Sequence, residues 1–200
     1  GSLGRHFCNN FSDSYGQLPR RLNLPTTRSE LMAVKSLIGT VTVGSGGASS
    51  ITFAAIAQEA GSDLLCVLSA RGGGTGITGA VLSLNADTTN ANYTGVQLEG
   101  NGASASSNAD YSRPFAWIPD SSYTSNTFVN ASFYISNYAS SAYKNISTDG
   151  VSENNATTAY QVIHASTWND TSAVTSLVVG SSRGGFAEYT TASLFKIKYD

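Results

Sequence analysis

The sequence predicts an all-β fold: an antiparallel β-sandwich or jelly roll of about ten short strands, preceded by an extended N-terminal arm and one short helix. Two observations predict this class. Short runs of alternating apolar residues recur from residue 38 to the end, and clusters of Gly, Asn, Asp and Ser separate them. No helical pattern of about 10–15 residues lies between the runs, which excludes the strand–helix alternation of a parallel sheet.

The composition narrows the functional classes. Ser and Thr supply 50 of the 200 residues, and charged residues only 12 %, against about 25 % in an average soluble domain. The net charge of −2 and the pI near 5.6 argue against a nucleic-acid partner. No apolar run approaches the roughly 20 residues of a membrane helix, and the start lacks a signal-peptide core, so we expect no membrane insertion.

Residues 1–36 are predicted to form an arm that docks or tethers the body. The first 25 residues show neither helical nor strand periodicity. The segment carries five basic and two acidic residues, whereas the remainder carries six and 11. We therefore expect the arm to contact other proteins and residues 37–200 to form the sandwich. The candidate docking residues are Arg5, Arg20, Arg21 and Arg28.

One short helix of about two turns is predicted between arm and body. Thr27 and Glu30 match a capping box, in which their side chains cover free backbone N–H groups. Leu31, Val34 and Leu37 then recur at near-helical spacing, and Gly39 should end the helix.

The strands follow in order. The nearly continuous apolar run over 64–68 predicts a central strand covered on both faces. It contains Cys66, which we interpret as a buried small hydrophobe. The predicted strands are 38–43, 51–57, 64–70, 80–84, 93–98, 115–118, 127–135, 143–147, 159–165, 174–179 and 193–199.

The sequence motifs that could indicate catalysis or cofactor binding are weak. The segment from Gly74 to Gly79 matches GxGxxG, but a strand pattern follows it where a dinucleotide site needs a helix. His164 could assist a serine nucleophile, yet no GxSxG motif is present, so we interpret it as a hydrogen-bonded or solvated strand residue. We expect no catalytic residues and no cofactor.

Acidic residues could bind a metal ion or act as the two catalytic carboxylates of a glycosidase. Five aspartates, none in a DxDxD array, are interpreted as turn residues, so no metal site is predicted. A depolymerase would need two carboxylates about 5–9.5 Å apart, and the candidate pairs are Glu99 with Asp110 and Glu153 with Asp170. The five aspartates are Asp87, Asp110, Asp120, Asp149 and Asp170.

Aromatic side chains provide the candidate binding residues. Rings at strand ends and loops commonly serve as sugar platforms or interface anchors, and they also cap cores. The candidates for ligand or receptor binding are Trp117, Tyr123, Tyr138 and Trp168.

An ordered series of short strings, covering about four-fifths of the chain, resembles a family of tailed-phage virion proteins, found mostly as tail-fibre or other appendage β-domains. The strings run from VGSGGASSITF at 43–53 to ASLFKI at 192–197, where the family usually has a Tyr-Gly pair in place of Phe195 and Lys196. Between them lie DLL at 63–65, LNAD at 84–87, NY at 92–93, GNGASA at 100–105, NY at 137–138, YK at 143–144, ENNAT at 153–157, WNDTSAVTSL at 168–177 and GFAEY at 185–189.

The resemblance implies a non-enzymatic structural protein of the virion, made in the bacterial cytoplasm and assembled as a homotrimer. It implies either a tail-fibre or baseplate adhesin that binds host-surface glycan, or a capsid decoration or head-fibre protein. Residues 1–36 would contact other virion proteins. A stand-alone carbohydrate-binding module is a further alternative.

Overall fold

A computed structural model describes residues 33–76, 78–110, 112–153 and 159–199, with Asp110 described by its backbone alone. These residues form twelve strands and a single-turn 3-10 helix at Asn90–Asn92. The strands are β1 Ala33–Thr42, β2 Ser50–Phe53, β3 Ser62–Ala70, β4 Thr78–Leu84, β5 Tyr93–Gly100, β6 Ala105–Asp110, β7 Phe115–Ile118, β8 Val129–Ile135, β9 Lys144–Glu153, β10 Ala159–Trp168, β11 Leu177–Ser181 and β12 Thr191–Tyr199.

The strands form two antiparallel sheets of unequal width, which confirms the predicted all-β sandwich. The large sheet has the order β1-β12-β3-β8-β9-β10-β5-β6, and the small sheet has the order β2-β11-β4-β7. A continuous apolar core, with contributions from both sheets, lies between them. Its largest buried side chains are Trp168, Tyr93, Tyr138 and Phe133.

Strand β3 is an interior strand of the large sheet, between β12 and β8. Leu64, Cys66 and Leu68 are fully buried on its inner face, and burial raises the pKa of the free Cys66 thiol to about 12. Leu65 and Val67 on the other face are only half-buried. The interior position and the apolar role of Cys66 are thus confirmed, whereas the second covering layer is absent from the described residues.

The predicted helix is wrong over residues 33–38, which belong to strand β1. This strand also includes the last four residues assigned to the arm and pairs with β12 from Ala33–Tyr199 to Thr42–Thr191. A two-turn helix is marginal in water, whereas pairing along β12 forms a full ladder of hydrogen bonds. A register shift between Leu37 and Gly39 interrupts the ladder at Ile38. Val34 and Leu37 are both exposed, so their near-helical spacing does not mark a buried face.

Strand β6 was not predicted, because its sequence ASSNAD contains no β-branched or large apolar residue. It forms only by pairing with β5, from Gly95–Asp110 to Gly100–Ala105. The prediction that all five aspartates lie in loops is also wrong, since Asp110 is in β6 and Asp149 is in β9.

Two glycines allow close packing at the edge and at the end of the small sheet. At its edge, a Cβ on Gly150 of β9 would lie 2.8 Å from the Cβ of Ala116 in β7. At the end of the sandwich, Gly184 has a φ of +65°, and a Cβ there would overlap the Cα of Gly74. Both contacts require glycine for steric reasons.

We predict that Gly184→Ala destabilises the domain by at least about 1–3 kcal/mol, because the added methyl meets backbone at an unfavourable φ. Urea unfolding of the full chain measures this change. Gly180→Ala is the matched control, since a Cβ there meets nothing within 4 Å. Equal stabilities of the two variants would contradict the packing described here.

Candidate functional site

A groove lies where the large sheet extends beyond the small one. Strand β7, at the edge of the small sheet, packs on β8, β9 and β10. Strands β5 and β6 continue past it, so the step between the two sheets leaves a groove of about 440 Å³. Its lining includes Val81, Asn90, Gln97, Arg113, Phe115 and Trp117. We call this space the Trp117 groove.

The indole of Trp117 is held by neighbours from three strands. Its Nε1 donates a hydrogen bond of 2.6 Å to Oε2 of Glu99 in β5. The ring of Phe115 meets it edge-on, with centroids 5.0 Å apart, and the Tyr160 ring lies 6.2 Å away. A half-buried ring fixed in this way is preorganised for contact with a ligand.

Polar side chains complete the groove. Gln97 of β5 is only 8 % exposed, and its Oε1 accepts no hydrogen bond within the described chain. Asn108 of β6 is directly opposite Gln97 in the ladder and therefore on the same face. Nε of Arg113 donates to Oδ1 of Asn90 at 3.2 Å, and its Nη1 donates to Oγ of Ser83 at 2.9 Å.

This combination suits carbohydrate binding. An indole or phenyl ring contacts the apolar C–H face of a sugar, while amide and guanidinium groups bond its hydroxyls. A buried amide oxygen without a partner favours a ligand that donates hydrogen bonds, because such a group is costly to leave unsatisfied.

The backbone positions of the candidate acidic pairs are farther apart than the two carboxyl groups of a glycosidase. In the β5–β6 ladder Glu99 is opposite Ser106, whereas Asp110 is opposite Gly95. Four residues along a strand span about 13 Å. Glu153 stands nine residues from Lys144 along β9, and Asp170 follows Trp168, the partner of Lys144. The second pair is therefore farther apart still.

Two of the predicted binding residues are core residues, which corrects the prediction for both. Trp168 is 2 % exposed, and its Nε1 donates to Oδ2 of Asp87 at 2.9 Å. Tyr138 is fully buried, and its hydroxyl donates to the carbonyl of Ala57 at 2.5 Å. Both rings are buried and their polar tips bond inside the fold. Neither ring therefore has a face available to a ligand.

Tyr123 lies next to the site and not in the groove lining, and it is linked to Trp117 through Tyr160. It is half-buried beside Tyr160, whose ring neighbours Trp117. Burial is the largest cause that raises the pKa of Tyr123. The charges of Tyr160 and Asp120 and a hydrogen bond with Tyr160 raise this pKa further. Gln97, Arg113 and Tyr160 were missed, since nothing in their local sequence marks them as binding residues.

His164 packs against Phe115 of the groove lining from the interior of the fold. It is fully buried, its Nδ1 lies 2.9 Å from Oγ of Ser166, and its ring is 5.2 Å from Phe115. This confirms the interpretation as a hydrogen-bonded strand residue. The GxGxxG match leads into strand β4 from Thr78, so no helix follows the glycines and the dinucleotide interpretation fails as expected.

Within the described ranges, no group of three or more His, Cys, Asp or Glu side chains could hold a metal ion. No helix there is long and apolar enough to cross a membrane. The predicted docking residues Arg5, Arg20, Arg21 and Arg28 lie outside the described residues.

A second groove, of about 570 Å³, runs over the outer face of the large sheet. Its lining is mostly small side chains, including Thr94, Ser147 and Thr167, with one aromatic ring, from Tyr134, and no charged group. It therefore offers fewer specific contacts than the Trp117 groove.

In the comparisons with known proteins, no family model, no curated protein and no solved structure matches this chain.

We predict that Asp87→Asn lowers stability at pH 7 and flattens its decline in acid. Burial alone would raise the pKa of Asp87, but hydrogen bonds from Trp168, Asn92 and Thr89 outweigh it and lower the pKa. A lowered folded-state pKa gives stability that is present above the unfolded pKa of about 3.9 and lost as pH falls through the folded value. Urea unfolding between pH 7 and pH 3 measures this change.

The expected loss at pH 7 is about 1.5–3 kcal/mol, the usual contribution of hydrogen bonds to a charged group. Asp149→Asn, which alters an exposed carboxylate on β9, is the control. The same acid profile for both variants would show that Asp87 does not carry this effect.

Proposed function

We propose that this chain is a non-enzymatic structural protein of a phage virion, of the tail-fibre or baseplate type, and that it binds host-surface glycan through the Trp117 groove. The observation that carries the proposal is that one groove is lined both by the fixed indole of Trp117 and by Gln97, whose amide oxygen has no hydrogen-bond partner among the described residues. The ordered sequence strings support placement on a virion. The low charge and the Ser- and Thr-rich surface suit a domain displayed outside a particle.

A capsid decoration or head-fibre role is the second candidate. The outer face of the large sheet favours it, because this face exposes apolar side chains suited to protein contact. Leu98 of β5 is 57 % exposed directly opposite Ile163 of β10, and Val96 lies two positions along β5. Such a face also suits the closed homotrimer that we propose, with residues 1–36 bound to other virion proteins. A carbohydrate-binding module acting alone would use the same groove.

We predict that Trp117→Ala weakens glycan binding by at least about 30-fold, equivalent to about 2 kcal/mol for an aromatic anchor. The measurement is binding of the full chain to an array of purified bacterial surface polysaccharides, followed by titration of the strongest ligand. Trp117→Phe should retain part of the affinity, since it keeps a ring and loses the N–H. Tyr143→Ala, which removes an exposed ring outside the groove lining, is the control.

Absence of any glycan binding by the wild-type chain would overturn the adhesin and the stand-alone module together. Equal losses for Trp117→Ala and Tyr143→Ala would mean that the groove is not the binding site.

The position on the particle is tested with gold-labelled antibody against this chain on purified virions. We expect label at the tail end. Label over the head would replace the adhesin with the decoration protein. No label on any particle would remove the virion assignment and leave the carbohydrate-binding module.

A further inference from the structure

Arg113 is a half-buried cation whose described partners are neutral. It lines the Trp117 groove, and its hydrogen bonds to described residues go to the amide oxygen of Asn90 and the hydroxyl of Ser83. The ion pairs of the described chain lie elsewhere, between Glu59 and the lysines Lys196 and Lys198. A guanidinium has five N–H donors, so these two hydrogen bonds leave three for a ligand.

The backbone places Arg113 in line with the two rings. The hydrogen bond from Leu82 N to Pro114 O, 2.9 Å long, continues the β4–β7 pairing beyond Val81–Phe115. Arg113 therefore follows the alternation that puts Phe115 and Trp117 on one face, with successive side chains about 7 Å apart. The groove thus presents a cation, a phenyl ring and an indole in a row.

We infer that the Trp117 groove selects acidic glycans, with the carboxylate of a uronic acid or similar sugar paired to Arg113 and the sugar rings against Phe115 and Trp117. This inference rests on the proposed function and adds its ligand class. A planar guanidinium matches the two oxygens of a carboxylate in a fork of parallel hydrogen bonds. No carboxylate is among the described residues that line the groove, and Glu99, which accepts the N–H of Trp117, lies outside that lining.

The described neighbours of Arg113 are neutral, so they do not compensate its positive charge. Asn90 and Ser83 orient the guanidinium through Nε and Nη1 and contribute no opposite charge. Partial burial reduces solvent screening, which strengthens an ion pair formed there relative to one on the open surface. Gln97 lies in the same lining, where its amide oxygen can accept a hydroxyl hydrogen of the same sugar.

The test compares acidic and neutral polysaccharides on one array, with the full chain as probe. We expect the bound set to consist of uronate-containing polymers, and affinity to fall as salt rises from 50 to 500 mM. The strongest acidic ligand is then titrated before and after chemical reduction of its carboxyl groups to hydroxymethyl groups. Reduction keeps the sugar ring and removes the charge, and it should weaken binding at least tenfold.

Arg113→Gln should weaken binding of the acidic ligand at least tenfold and weaken binding of its reduced form by a much smaller factor, because a hydroxyl loses only one neutral hydrogen bond. Arg113→Lys should fall between wild type and Arg113→Gln, because it keeps the charge and loses the fork. Lys198→Gln, which removes one positive charge from β12, controls for net charge. Thermal unfolding of each variant shows whether the loss of the Asn90 and Ser83 contacts disturbs the fold.

Preference for neutral polymers, or equal binding of acidic and reduced ligand, would overturn this inference and leave the glycan-binding function in place. Preference for sulfated over carboxylated polymers would overturn the carboxylate assignment. Absence of binding to every polymer would overturn the proposed function and this inference with it.

Discussion

The packing of β7 against β9 determines where the sandwich is closed and where it is open. Ala116 sits over Gly150, and this contact brings the edge of the four-stranded sheet close to the eight-stranded one. Beyond that edge lie β6, whose described side chains are exposed, and the part of β5 that follows the core residue Tyr93. The core on one side of the contact is apolar, whereas the exposed step on the other side carries Gln97, Arg113 and the partly exposed rings of Phe115 and Trp117.

The two tryptophans occupy different environments in this fold: Trp168 is buried, whereas Trp117 is partly exposed. Trp168 ends β10 under the small sheet, where Asp87 accepts its N–H and Tyr93 lies parallel to its ring, with centroids 6.5 Å apart. Trp117 has the same kind of bond, to Glu99, but stands at the open step. A carboxylate accepts a hydrogen bond from each indole, and coverage by the second sheet decides whether the ring is buried in the core or partly exposed.

Much of the fold could be predicted from local sequence, and the failures have physical causes. The alternation of apolar residues predicted ten of the twelve described strands and the second half of β1, because inward-facing side chains repeat every second residue. Strand β6 carries no such pattern and forms through its pairing with β5 alone. Strand β1 has apolar residues at helical spacing, yet the open edge of β12 provides a hydrogen-bonding partner that an isolated short helix lacks.

The sequence by itself determined the all-β class, the interior position of β3 and the apolar role of Cys66, since each depends on residues close together in the chain. It also selected Trp117 among the candidate binding residues. Only the tertiary structure decided that Tyr138 and Trp168 are buried and that Gln97, Arg113 and Tyr160 share a surface with Trp117. These residues come from β5, β10 and the segment leading into β7, and only the unequal width of the two sheets brings them to one open step.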